Sequence, residues 1–422
     1  MKNNYLPQYQ ERAQRLYDGI THTAVRAKDE LNLRQFCFTM ANFRTLMPEY
    51  LADKTQEQVF IDLLCCRGLA PLDQDFPEKV YDIQFTGDFF DIVSQKDKPY
   101  IFCTYHLGSY RAIIGALARM GYDFTLVVDN GVFEKQKEYT ERTVQEINEL
   151  CGVKSDFEML NAESFDAAMR MVGNIKKGHS LIAYIDGNTG TGGVHRRDER
   201  MLKVDFFGRK MFARQGIAHI AFLTGVPIVP VISYRNAESD IVLHFYDKIN
   251  PLETPTRQAF CATTTQLLYT YLEDMLKQYP LQWEGWLYVH KYFDTESLGE
   301  PCTAQLPASI SVKDVRFNDD RYGLFVFGPD YYLLDGSNYR TFLIGEEEFN
   351  LLRPFWVNRY ATRAIHTEGP PHEVATQQKT WVDKLRISIS KLKHTTNDYI
   401  DKSVLLLLLE KGILVPNVVR TV

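Results

Sequence analysis

Residues 79–110 read KVYDIQFTGDFFDIVSQKDKPYIFCTYHLGSY, and their reading decides the fold. A short strand-like run comes first, then an amphipathic helix, then the apolar run 100–104, which is too short for a helix and is predicted to be a buried strand. His106 and Gly108 follow at once, and the pattern predicts a helix over 111–120. Working outward, strands are predicted at 124–128, 180–185 and 226–234, and helices at 132–150, 165–176 and 214–224. Strands that alternate with helices imply an α/β fold with a mostly parallel sheet flanked by helices.

Residues 1–78 carry apolar positions three and four apart and read as a helical lead-in to that α/β core, which is predicted to span 79–298. A long helix over 255–277 precedes the aromatic segment QYPLQWEGWLYVHKYF at 278–293, and the stretch GEPCTAQLPAS at 299–309 marks a boundary. Beyond it, strand-like runs at 323–327 and 331–334, helices near 346–352 and 399–411 and a last strand at 412–415 predict a small α+β, winged-helix-like domain over 308–422. Two domains suit a chain of 422 residues, because single cores stop growing near about 250–300 residues.

The net charge of −6 offers no basic face for phosphate contacts, so nucleic acid is not an expected partner. No run reaches the roughly 18–20 apolar residues of a membrane span. The five leucines at 405–409 form one apolar run inside a charged helix, and MKNNYLPQYQERAQRLYDG at the start lacks the apolar region of a signal peptide. A cytoplasmic protein without a transmembrane segment is expected. Its seven cysteines are read as reduced and mostly buried, and no CxxC or Cys/His spacing suggests a metal. The segment GNTGTGG at 187–193 lacks the lysine of a phosphate-binding loop and reads as a flexible loop.

His106 is the strongest site signal. Parallel α/β sheets place reactive groups at the carboxyl ends of their strands, and a neutral imidazole can take a proton near neutral pH. The segments HLGSY at 106–110, VVDN at 127–130, LIAYIDGN at 181–188, VDFFG at 204–208 and TGVPIVPV at 224–231, with the tail PLQWEGWLYVHKYF, resemble in order and spacing the bacterial lipid A secondary acyltransferases and the wider lysophospholipid acyltransferase superfamily, over about residues 80–293. The resemblance implies transfer of a fatty acyl group from an acyl carrier protein or coenzyme A thioester, used as co-substrate with no bound cofactor, to a hydroxyl or amine. It implies His106 as general base, and Gly108, Ser109, Asn130, Asn188, Phe207, Gly208 and Arg214 are candidate substrate-binding positions. The aromatics Phe206, Phe207, Trp283, Trp286, Tyr288 and Tyr292 become candidates for lining an acyl tunnel.

One position departs from the family's H-x4-D/E motif. Arg111 stands where an acid should orient the imidazole, and a guanidinium only donates hydrogen bonds, so it cannot do this; if close, it lowers the imidazole's proton affinity. Asp186 or Asp129 could supply the missing acceptor, or a backbone carbonyl could; alternatively, catalysis has been lost. Arg111 is then free to bind an acidic acceptor or a thioester's phosphate. The segment HRRDERMLKVDFFGRKMFAR at 195–214 carries seven basic residues against three acids, a pattern suited to an acidic carrier protein or to coenzyme A phosphates.

The membrane helix usual at the family's N-terminus is missing from this reading, which favours a soluble acceptor. Segments 325–344, 345–355 and 398–415 resemble the leader-peptide-binding domains of modified-peptide pathways, which implies a ribosomally made peptide as the acceptor, captured as an added strand. Two other functions compete: a peripheral enzyme acylating a lysophospholipid or glycolipid, and a non-catalytic acyl- or peptide-binding protein.

Overall fold

The computed structural model describes residues 5–22, 30–187, 201–254, 256–294, 315–358 and 402–416. In chain order the first elements are helices α1 (Leu6–Thr21), α2 (Glu30–Leu46) and α3 (Gln56–Gln74). There follow β1 (Gln84–Gly87), α4 (Phe89–Ser94), β2 (Ile101–Thr104), α5 (Ala112–Arg119), β3 (Phe124–Val128), α6 (Asn130–Cys151), β4 (Phe157–Asn161), α7 (Ala167–Lys176) and β5 (Ser180–Tyr184). Then come β6 (Met201–Phe206), β7 (Arg209–Arg214), α8 (Gly216–Thr224), β8 (Ile228–Arg235), β9 (Ile241–Phe245) and α9 (Arg257–Gln278).

The strand β2 is buried at all four positions, as the run 100–104 implied, because it lies in the middle of a seven-stranded sheet of order β1-β9-β8-β2-β5-β3-β4. All pairs are parallel except β8 with β9. Alternation along β2 feeds two cores. Phe102 packs with Ile113 and Leu117 of α5 and Val144 and Ile147 of α6. Ile101 and Cys103 pack on the other face with Met171 and Ile175 of α7, Ala221 of α8 and Phe260 and Leu268 of α9. Each large apolar side chain so buried contributes about 1.5–3 kcal/mol, which is why both faces are covered.

Two strands of this sheet, β4 and β9, have no counterpart in the sequence reading. β4 carries Glu158 and Asn161 among its apolar residues, and β9, though apolar, is an antiparallel return close behind β8, where a pattern of parallel strands separated by helices gives no place for it. Between β5 and α8 lies the antiparallel hairpin β6–β7, also unforeseen.

The described residues divide into two compact units, one of 1–22 with 58–294 and the other of 23–57 with 295–422. Helix α2 thus belongs to the second unit, although the sequence reading grouped all of 1–78 with the α/β core. An amphipathic stripe shows that a helix packs, not what it packs against. In the second unit α2 lies on β11 (Tyr322–Phe327), where Cys37 Sγ donates to the Leu324 carbonyl at 3.4 Å. That unit comprises β10 (Val315–Phe317), β11, β12 (Asp330–Asp335), β13 (Arg340–Ile344), α10 (Glu346–Asn358), α11 (Lys402–Glu410) and β14 (Leu414–Pro416). The strands β11-β12-β13 form one antiparallel sheet, and β10 pairs with β14. Arg321 grips the buried Asp335 with two bonds of 3.0 and 2.7 Å, a fork geometry suited to carboxylate. The leucine run lies in α11, with Leu405, Leu408 and Leu409 buried and Leu406 exposed, and no helix among the described residues is long and apolar enough to cross a membrane.

Candidate active site

The register of two neighbouring strands builds the site. Thr104 at the end of β2 pairs with Tyr184 at the end of β5, so the residues two further along each chain, His106 and Asp186, leave the sheet at the same level. Both emerge at the carboxyl edge, where open α/β sheets bind ligands. His106 Nδ1 lies 2.9 Å from Asp186 Oδ1. The His106 backbone N–H also donates to the same carboxylate, at 3.2 and 3.0 Å, and Trp283 Nε1 donates to Asp186 Oδ2 at 2.7 Å. A carboxylate only accepts, so Nδ1 carries the proton and the lone pair sits on Nε2. The Asp186 side chain is 2% exposed and that of His106 is 23% exposed, so the acid is sealed in while the imidazole reaches solvent.

Trp283 arrives on the closing segment 278–293, which is stitched to the His106 loop. Leu107 and Trp283 form an antiparallel bridge, Gly108 N–H donates to the Gln282 carbonyl at 2.8 Å, and Glu284 N–H donates to the His106 carbonyl at 2.9 Å. Tyr184 and Tyr110 flank the imidazole with ring centroids 4.8 and 4.9 Å away. The Tyr184 hydroxyl donates to the Tyr110 carbonyl at 2.9 Å, and the Tyr110 hydroxyl donates to Glu284 at 3.4 Å. Burial raises the pKa of both tyrosines, which keeps them as donors.

Burial works to lower the proton affinity of His106, but the charge and hydrogen bond of Asp186, helped by Glu284, outweigh it and the opposing charge of Arg111, so the imidazole pKa is raised. Only neutral His106 can act as a base. The rate should therefore fall as pH drops through the raised pKa, and the acid limb of kcat/KM should lie above the ordinary histidine value of about 6.5. A pH–rate profile whose acid limb falls at or below that value would contradict this role for His106.

The structure brings His106, Asp186, Gly108 and Arg111 to one end of the sheet. Asp129 is not the orienting acid, since its carboxylate caps α6 by accepting from Val132 N–H at 3.0 Å. Arg111 is the residue before α5 and donates to Gln74 at 2.7 Å. Ser109 is fully buried and gives its hydroxyl to Asp73, so it faces away from any substrate. Asn130 opens α6 two strands away from β2, bonded to Glu134 at 2.9 Å and Asn161 at 2.7 Å. Asn188, and Arg196, Arg197 and Arg200 of the basic segment, lie outside the described residues. Of the others there, Lys203 pairs with Asp294 and Lys210 with Asp205, each at 2.7 Å.

Phe207 and Gly208 form the two-residue turn of the β6–β7 hairpin, both with positive φ, 49° and 69°, the backbone such turns require. Arg214 ends β7 instead of opening α8. Its charge reaches Tyr269 and Tyr292, whose hydroxyls donate to the carbonyls of Ile185 and Gly187 on either side of Asp186. Phe206, Trp283, Trp286, Tyr288 and Tyr292 are buried and pack edge to face, Phe206 to Trp283 at 5.7 Å and Trp283 to Trp286 at 5.3 Å. A small cleft of about 40 Å³ is lined by Val80, Ile83, Ile114 and Ile147 together with Asp73, Lys79 and Arg111. Among the described residues no cluster of His, Cys, Asp or Glu could hold a metal ion.

Sequence reasoning read Trp283 only as a tunnel or core aromatic and missed Gln282 and Glu284. A Trp beside an acid 97 residues away in the chain is visible only once the closing segment is folded back.

Residues 152–295 match the family model of the bacterial lipid A biosynthesis acyltransferases, and this supports a general acyltransferase activity. The matched span is about a third of the chain; it contains Asp186 and Trp283, while His106 precedes it. No curated protein matches the chain. The likeness of the C-terminal region to leader-peptide-binding domains has no support from the family match, which ends at residue 295.

Proposed function

We propose that this chain moves a fatty acyl group from an acyl carrier protein or coenzyme A thioester to a hydroxyl or amine on a soluble acceptor. The observation that carries this reading is the His106–Asp186–Trp283 arrangement. Asp186 supplies the acceptor that Arg111 cannot, so His106 is aimed and held in the tautomer a base needs. His106 Nε2 takes the proton of the acceptor O–H or N–H as that atom attacks the thioester carbonyl. The tetrahedral intermediate then collapses, the C–S bond breaks, and the proton passes from the imidazolium to the departing thiolate. Asp186 stabilises the imidazolium without itself becoming protonated. Arg111, close enough to lower the basicity of His106, suits a phosphate or carboxylate of a substrate.

The test uses lauroyl-coenzyme A as donor and ethanolamine, which offers both a hydroxyl and an amine, as acceptor, with thiol release as the signal. His106→Ala should lower the rate about 100-fold or more. An unchanged rate would exclude His106 as the base, and a wild-type rate no higher than that without protein would establish the non-catalytic reading. Activity found only with lysophospholipid vesicles as acceptor would favour the peripheral lipid enzyme.

A further inference from the structure

The loop carrying His106 is gripped on two flanks. Asp186 and Trp283 hold one. On the other lies Asp73, in the last turn of α3, a carboxylate 5% exposed that the chemistry above does not use. Its Oδ2 accepts from Ser109 Oγ and from Arg235 Nη2. Its Oδ1 accepts from the Tyr9 hydroxyl at 2.9 Å and faces Lys79 Nζ at 3.6 Å. Arg235 ends β8, the strand beside β2, and its backbone N–H and carbonyl are both bonded to the Gln282 side chain, at 2.7 and 2.8 Å. The carbonyl of Gln282 in turn holds Gly108 N–H at 2.8 Å. The residue after Asp73, Gln74, accepts from Arg111. The end of α3 therefore holds loop positions 109 and 111 directly, and position 108 through Arg235 and Gln282.

Burying a carboxylate with two cations is costly, and a well-packed apolar cluster often replaces such a group at no loss of stability. What the network supplies in return is geometry, since its branches through Ser109, through Arg235 and Gln282, and through the neighbouring Gln74 end on residues 108–111, immediately after the imidazole. We propose that Asp73 is a positioning residue, which through Ser109, and through Arg235 and Gln282, sets the backbone path of residues 106–109 and so the aim of His106. The proposal rests on the reading of His106 as the base.

The test is Ser109→Ala, which releases the loop but leaves Asp73 bonded to Arg235 and Tyr9, so no buried charge is stranded. With lauroyl-coenzyme A and ethanolamine, kcat should fall about tenfold while KM moves less than about twofold, since misplacement by 1 Å can cost up to about 100-fold. In protein with isotope-labelled histidine, the NMR titration of His106 should move toward that of an unperturbed imidazole, which a purely structural bond would not cause. Tyr9→Phe, which removes a bond on the far side of the network and touches nothing in the loop, should shift both readouts in the same direction and by less. If kcat and the His106 titration are unchanged in both folded variants, the proposal is overturned. If the wild type does not consume the thioester but the titration still moves, the positioning role stands and the acyl-transfer reading fails.

Discussion

Replacing Asp186 by Asn is expected to lower kcat by on the order of 10³-fold while the protein stays folded. Every group that meets this side chain is a donor: the His106 backbone N–H, the His106 Nδ1–H and Trp283 Nε1–H. An amide offers one accepting atom and one donating NH₂ group. If the oxygen stays on His106, the NH₂ group meets the indole N–H, and two donors confront each other in a buried site. If the oxygen turns to Trp283, the NH₂ group meets Nδ1, which must then become the acceptor. The ring proton moves to Nε2 and the base is lost. Thiol release from lauroyl-coenzyme A measures the effect, together with circular dichroism to establish the fold. Near-wild-type turnover would mean that Asp186 does not orient the imidazole. The contrast with Arg111 is direct, because the motif position that normally carries the acid can be spared only while Asp186 is an acceptor.

Gly108→Ala should be the most destabilising single-methyl change in the loop. Gly108 has φ of +57°, which costs a residue with a side chain about 1–2 kcal/mol. An added Cβ would lie 2.7 Å from Tyr234 Cα and 2.8 Å from the Ser233 carbonyl oxygen. Both belong to the backbone of β8, which is hydrogen-bonded to β2 and β9 and cannot retreat alone. Forced backbone shifts of this kind add about 1–3 kcal/mol, so a total near 3 kcal/mol is expected from a domain whose whole stability is typically about 5–15 kcal/mol. Urea unfolding measures it, and a loss below about 1 kcal/mol would show that the loop does not press on β8. Any folded fraction should also turn over slowly, because the displaced residues lie two positions from His106.

Much of this architecture is legible along the chain. The run 100–104 became β2, the strand at 124–128 has the predicted ends, and the helices around them differ by a few residues at their termini. These elements announce themselves because they are buried on both faces, so their residues form apolar runs with clear breaks. The hairpin β6–β7 was hidden because its turn residue Phe207 is not one that usually adopts positive φ, and VDFFG could be read only as a motif. Phe206, Trp283 and Trp286 were legible as buried or pocket-lining, but choosing between those outcomes depends on neighbours from β6 and the closing segment.

By itself the sequence determined that an α/β sheet carries a histidine at the carboxyl end of a buried strand, and that an arginine stands five residues after it, where the family's motif has an acid. Hydrophobic periodicity and turn residues act over short distances, so they specify these features locally. Which acid serves His106 was decided only by tertiary structure. Asp186 is 80 residues away in the chain and becomes adjacent because β5 inserts next to β2 in parallel register, while Asp129, equally plausible in sequence, follows β3 and caps α6. Strand order and register are properties of the packed sheet, and hydrogen-bond partners across it have no signature in local spacing.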